Sequence, residues 1–163
     1  MSLSFARYTL FCRDMAASLA FYRDLLGLVV VEEKVLEGPY AGALLQLPAC
    51  RMHICLLAGS ADGDIILGLF EISGTPMDTL APPVGQPAHG QSVLVLHTDQ
   101  LHALARRLAD AGHRFLTPPL RYPKPQPSAR QPAGLYHEAI VYDPDNVPVS
   151  LIQIDPLPEG AVA

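Results

Sequence analysis

The sequence predicts an α+β fold assembled from two copies of one unit, and three observations carry that reading. The stretch "RYTLFCRDMAASLAFYRDLLGL" (residues 7–28) opens as a strand, passes an acid and continues as a helix closed by a glycine. The pattern recurs in "SVLVLHTDQLHALARRLADAG" (92–112), where Asp14, Leu19 and Gly27 are matched 85 residues later by Asp99, Leu104 and Gly112. After each copy the chain turns to runs rich in β-branched and aromatic residues, which favour strands.

Each element has its own local cause. "SFARYTLFC" predicts a strand from about Ser4 to Cys12. Asp14 or Ser18 supplies the helix cap, and Met15, Leu19, Tyr22, Leu25 and Leu26 recur at three- and four-residue steps as one apolar face. Gly27 ends that helix, because glycine adopts the left-handed C-terminal conformation without strain. "LVVVEEKVL" (28–36), "AGALLQL" (41–47), "MHICLLAG" (52–59) and "IILGLFEIS" (65–73) predict four strands, the middle two joined by a turn around Pro48.

"GTPMDTLAPPVGQPAHG" (74–90) follows as a linker. The expected organisation is a first module at 1–75, a Pro-rich linker at 76–90, a second module at 91–156 and a tail at 157–163. In the second copy, "TPPLRYPKPQPSARQPAG" (117–134) is too rich in proline for a helix or a central strand. Its 117–132 portion reads either as a functional loop or lid, or as a plain surface connection. "LYHEAIVYDPDNVPVSLIQI" (135–154) predicts a closing β-hairpin with "DPDN" as its turn, Pro144 setting φ and Asn146 taking the left-handed region.

Composition bounds the function classes. The 163 residues are 50% hydrophobic, include 16 prolines and carry a net charge of −5. An acidic chain lacks the clustered cations that neutralise phosphates, so neither nucleic acid nor an anionic membrane surface is an expected partner. No apolar run reaches the roughly 18 residues of a membrane span, and "MSLSFARYTL" has no secretory pattern. Cys12, Cys50 and Cys55 fit no zinc knuckle and read as reduced thiols of a cytoplasmic protein.

The segment "RDMAASLAFYRDLLGL", the strands after it, the repeat and the late "YDPDNVPVSLIQ" together resemble the vicinal oxygen chelate superfamily. That group includes glyoxalase, the bleomycin-resistance proteins and the extradiol dioxygenases. The resemblance covers nearly the whole chain. It implies two βαβββ modules forming a curved mixed sheet around one open cavity. It also implies homodimers, and in catalytic members a divalent metal held by His, Gln or Glu on the first and last strands of the modules.

Carried over residue by residue, the four ligand positions fall on Arg7, Glu71, Val93 and Ser150, of which only Glu71 is a metal-binding side chain. Arg7 is permanently cationic and repels an ion, and about three protein donors are needed for a catalytic site. The expectation is therefore no cofactor. His97, His53 and Glu71 are the alternative metal donors, His53 and Cys55 lying on a strand that rivals "GLFEIS" as the module's end. His89 lies in the linker, and His102 and His113 read as solvated. His137 and Glu138 point to opposite faces and cannot share one ion.

If both face the cavity, Arg7 and Glu71 form either a structural ion pair or an anchor for a ligand carboxylate or amide. The alternative leaves Arg7 at the sheet edge in water. Thr9 and Phe11 share the face of Arg7, while Cys12 falls on the other as core. Cys55 is the thiol expected to see the cavity, although no Cys–His–acid arrangement is apparent. Tyr22 reads as core, "ARRLAD" as a solvated helix face, and no Gly-rich phosphate loop is present. The leading functional expectation is a metal-free, small-molecule binding protein with Arg7, Thr9, Phe11, Glu71, His97 and Ser150 as ligand-binding candidates. The alternatives are a metal-dependent lyase, isomerase or dioxygenase, and a protein-interaction module that uses the Pro-rich segment.

Overall fold

The computed structural model describes residues 2–81 and 85–157. It divides into two units, Met1–Ala81 and Pro82–Ala163. The linker expected at 76–90 lies partly outside the described residues, and the tail expected at 157–163 almost wholly so.

The first unit runs β1 (Tyr8–Cys12), α1 (Met15–Leu19) continued by a π-helical turn over Ala20–Leu25, β2 (Val29–Gly38), α2 (Pro39–Ala43), β3 (Cys50–Ala58) and β4 (Ile65–Ser73). The sheet order is β1-β4-β3-β2, with β1 and β4 parallel and the other pairs antiparallel. Because successive side chains point to opposite faces, Leu10, Cys12, Leu67 and Leu69 share one buried face, the one on which α1 packs through β4. In the π-helical turn Tyr22 is fully buried, as the apolar face predicted, and so is Phe21, which that face did not include. Met52, Ile54 and Leu56 point the other way into a second cluster, with Ala41 of α2 and the half-buried Phe70 and Ile72.

The second unit repeats the order as β5 (Leu94–His97), α3 (Leu101–Asp110), β6 (Phe115–Lys124), β7 (Gly134–Tyr142) and β8 (Pro148–Asp155), in a sheet ordered β5-β8-β7-β6. Each unit is thus a βαβββ arrangement, as the sequence implied.

The two copies are joined to their sheets by the same device. The Met15 N–H donates to Glu71 Oε1 at 3.1 Å, and the Leu101 N–H donates to Gln153 Oε1 at 3.0 Å. A strand side chain in each unit thereby satisfies one of the unpaired donors at a helix start. Met15 and Leu101 stand 86 residues apart, whereas the closing glycines, Gly27 and Gly112, both at φ 83°, stand 85 apart. The π-helical turn of α1 accommodates the extra residue. For this reason matching Asp14 to Asp99 slips by one: Asp14 caps α1 by accepting from the Ala17 N–H at 3.0 Å, while Gln100 occupies the cap of α3.

Four local expectations are corrected. β1 starts at Tyr8 rather than Ser4. "AGALLQL" is not a strand: Pro39 opens the short helix α2, and the chain leaves it in a turn with Gln46 at φ 56°. The carbonyl oxygens of Pro48 and Leu47 would lie 2.3 and 2.7 Å from a Cβ at Gly42, so this turn closes only over a glycine. Much of the 117–132 segment is strand β6, an edge position that tolerates Pro118, Pro119 and Pro123, with the register broken on either side of Thr117. His113 is half-buried rather than solvated, and that burial holds its imidazole below the usual histidine range.

The closing hairpin is as expected. Asn146 sits at φ 65°, and Asp143 Oδ1 accepts from the N–H groups of Asp145 at 2.9 Å and Val147 at 2.7 Å.

Candidate functional site

The open face of the first sheet, turned away from α1, gathers three of the expected residues. Thr9 pairs with Gly68 and Phe11 with Phe70, and Arg7, just before β1, lies on the same side against Gly68 and Phe70. The Arg7 guanidinium stands 5.7 Å from the Phe70 ring centroid, and Phe11 meets Phe70 edge-on at 6.0 Å. Gly68 makes this packing fit: a Cβ there would lie 2.8 Å from the Phe70 ring and 3.2 Å from Arg7 Nε. A cleft continues from Phe11 and Phe70 to Ile72 and Met77, with Thr75 and Asp78 as polar lining. The surface therefore offers a forked cation beside exposed aromatic edges.

On the open face of the second sheet, Val95 pairs with Ser150 and His97 with Ile152. Ser150 is buried and donates to Glu138 Oε1 at 2.6 Å, and the Tyr122 hydroxyl donates to Glu138 Oε2 at 3.0 Å. Burial, with the bond to Glu138, raises the Tyr122 phenol above its ordinary pKa. Sequence reasoning separated Glu138 from His137 but did not mark Glu138 as a site residue. The signal lay in the hairpin turn: it sets β7 against β8 so that Ile140 pairs with Ser150, and Glu138, two residues from Ile140, shares that face. His97, exposed at the end of β5, lines a shallow pocket with Gln153 and Asp155. His137 faces the α3 side, where its Nδ1 is 3.3 Å from His102 Nε2 and its Nε2 is 3.1 Å from Asp155 Oδ2.

The profile of the Glyoxalase/Bleomycin resistance protein/Dioxygenase superfamily matches residues 4–151. The chain belongs to that superfamily. Solved structures place the superfamily fold beside this one. A glyoxalase family protein from Bacillus cereus superposes with a TM-score of 0.75 at 16% identity, covering 95% of this chain and 96% of the other. The trypanothione-dependent glyoxalase I of Leishmania major gives a TM-score of 0.59 at 13% identity, over 93% and 87% of the two chains. A glyoxylase/bleomycin resistance protein/dioxygenase domain from Frankia sp. EAN1pec gives 0.55 at 22% identity, over 98% and 96%. These likenesses establish the fold. Among curated proteins no sequence match is found.

In this member of the glyoxalase superfamily Glu71 does not join Arg7. It pairs with Cys12 on one side and His53 on the other, so it points to the α1 face, where Met15 holds it. Arg7 shares a face with Thr9, an odd number of residues from Cys12, and strand parity puts the two charges on opposite sides of the sheet. His53 and Cys55 likewise lie on the α1 face. His53 Nε2 is 2.7 Å from Glu33 Oε1 and 3.8 Å from Cys55 Sγ, and its Nδ1 is 3.9 Å from Glu71 Oε2. Cys55 is fully buried, and burial followed by the nearby Glu33 carboxylate pushes its thiol up to about 11.

Among the described residues, neither open face by itself groups three donors for the divalent metal that the superfamily implies. The first presents Arg7, Thr9, Phe11, Gly68 and Phe70 where β1 meets β4, and its carboxylates, Glu32 on β2 and Asp78 in the cleft, join no group of three donors among the described residues. The second presents His97 and Glu138, which pair with Ile152 from its two opposite sides. Among the described residues the one group of potential ligand atoms within 4.8 Å of each other is Glu33, His53 and Cys55, on the α1 face.

Proposed function

We propose that this superfamily member binds a small molecule with an apolar or aromatic body and an anionic or amide end, and that no metal takes part at the open sheet face. The carrying observation is Arg7 beside Phe70 and Phe11 above the side-chain-free Gly68. A guanidinium offers paired donors to a carboxylate, and the aromatic edges with the Ile72–Met77 cleft offer apolar contact for the body of the ligand. Thr9 supplies a further hydroxyl on that face. The open face of the second sheet carries its own polar group, Glu138 held by Ser150 and Tyr122, with His97 on the same face. The reading includes a homodimer, supported by the exposed apolar residues Val35 and Leu36 on the edge strand β2.

The test is calorimetry of the full chain against small aromatic and aliphatic carboxylates, each paired with its neutral ester, with and without chelator. Arg7→Ala should weaken carboxylate binding by about 10- to 100-fold, the worth of a charge-assisted hydrogen bond of roughly 1.5–3 kcal/mol. Chelator should change nothing. Carboxylates that bind equally well to the variant, or only with metal present, would overturn the proposal.

A further inference from the structure

The cluster on the α1 face has no part in the ligand site proposed above, yet its chemistry is specific. β2 and β3 set Glu33 opposite Cys55, and β3 and β4 set His53 opposite Glu71. All four side chains lie on one sheet face. The ligand atoms of Glu33, His53 and Cys55 lie within 4.8 Å of one another. A tetrahedral zinc ion with bonds of about 2.0–2.3 Å separates its ligands by roughly 3.3–3.8 Å. The observed Cys55–His53 distance of 3.8 Å is already at that spacing, and the Glu33–His53 contact of 2.7 Å must open.

We propose that Glu33 Oε1, His53 Nε2 and Cys55 Sγ form a site for a borderline transition metal of the Zn2+ class, with Glu71 orienting His53. Thiolate and imidazole select such ions over Mg2+ and Ca2+. The charges balance: Cys55 gives up its proton to solvent, and its thiolate with the Glu33 carboxylate cancels the two charges of the ion. The proton that His53 Nε2 shares with Glu33 Oε1 at 2.7 Å passes through solvent to Nδ1, freeing Nε2 and Glu33 Oε1 to bind the metal, so the net release is the one proton of Cys55.

Two further features support the assignment. A ligating imidazole generally donates its other N–H to a carboxylate, and Glu71, its Oε1 fixed by the Met15 N–H, holds Oε2 3.9 Å from His53 Nδ1, a gap that must close for that hydrogen bond to form. The site also has a way in, since the Glu33 side chain is 59% exposed on edge strand β2 and Cys55 closes the back.

The experiment titrates Co2+ into the chelator-treated full chain under a non-thiol reductant. We expect one equivalent to give tetrahedral visible bands and a near-ultraviolet thiolate-to-cobalt band, with one proton released per ion above pH 7.5 and displacement by Zn2+. Cys55→Ala removes the thiolate band. Glu33→Gln, at an exposed position, weakens Co2+ binding at least tenfold while circular dichroism stays native, so the question is decided even if the cysteine variant fails to fold. Absence of a one-equivalent cobalt spectrum, or a spectrum untouched by Glu33→Gln and His53→Gln, overturns the proposal. Carboxylate affinity is measured separately with and without bound Co2+. It should be the same in both, because the two sites occupy opposite sheet faces, and either proposal can therefore fail without the other.

Discussion

At Cys55, burial and the neighbouring Glu33 hold the thiol at about 11, above the ordinary cysteine value. The neutral thiol is thus the form the fold prefers. With the folded pKa above the unfolded one, this contribution to stability is complete below about pH 9 and is lost as pH rises towards 11. Urea midpoints at pH 8, 9.5 and 11 should fall more steeply for the native chain than for Cys55→Ser. Metal-free native protein should also resist alkylation at Cys55 at neutral pH and react once unfolded. Gly68 is a second critical residue. Gly68→Ala places a methyl 2.8 Å from the Phe70 ring and 3.2 Å from Arg7 Nε, so both must move. Overpacking of this kind costs about 1–3 kcal/mol, and the variant should both melt earlier and bind carboxylates more weakly. The common face of Arg7, Thr9 and Phe11 was legible from period two alone. The side on which Glu71 falls was not, because it depends on the register between β1 and β4, which local pattern does not encode.

At the scale of elements, the sequence repeat marks each helix and its closing glycine, but one inserted residue is hidden inside α1 as a π-helical turn. Only the two strand-to-helix contacts, Glu71 to Met15 and Gln153 to Leu101, reveal the 86-residue spacing at the helix starts. Since an amide carbonyl serves this role in the second unit, Glu71→Gln should change unfolding free energy by less than about 0.5 kcal/mol, and Glu71→Leu should lower it by about 1–2 kcal/mol through an unsatisfied N–H. Chemical denaturation of the two variants distinguishes an acceptor role from a charge role. β6 was hard to read because proline is a poor guide at a sheet edge, where a strand needs hydrogen bonds on one side only. α2 was missed because five residues carry too little periodicity to separate a helical turn from an apolar strand.

For the whole molecule, the alternation of strand, helix and strands and its recurrence were sufficient to reach the superfamily, and its profile covers residues 4–151. Function is less legible, because this fold hosts many chemistries and its sites are set by a few side chains. Among the described residues no helix is long and apolar enough to cross a membrane. The central claim is that a guanidinium, rather than a metal ion, anchors the ligand at the open sheet face. It is tested most directly by calorimetric titration of an aromatic carboxylate into native protein and Arg7→Ala, both in excess chelator. The account predicts binding to the native chain that falls at least tenfold in the variant. Binding that disappears from the native chain on chelation and returns with added metal would contradict it.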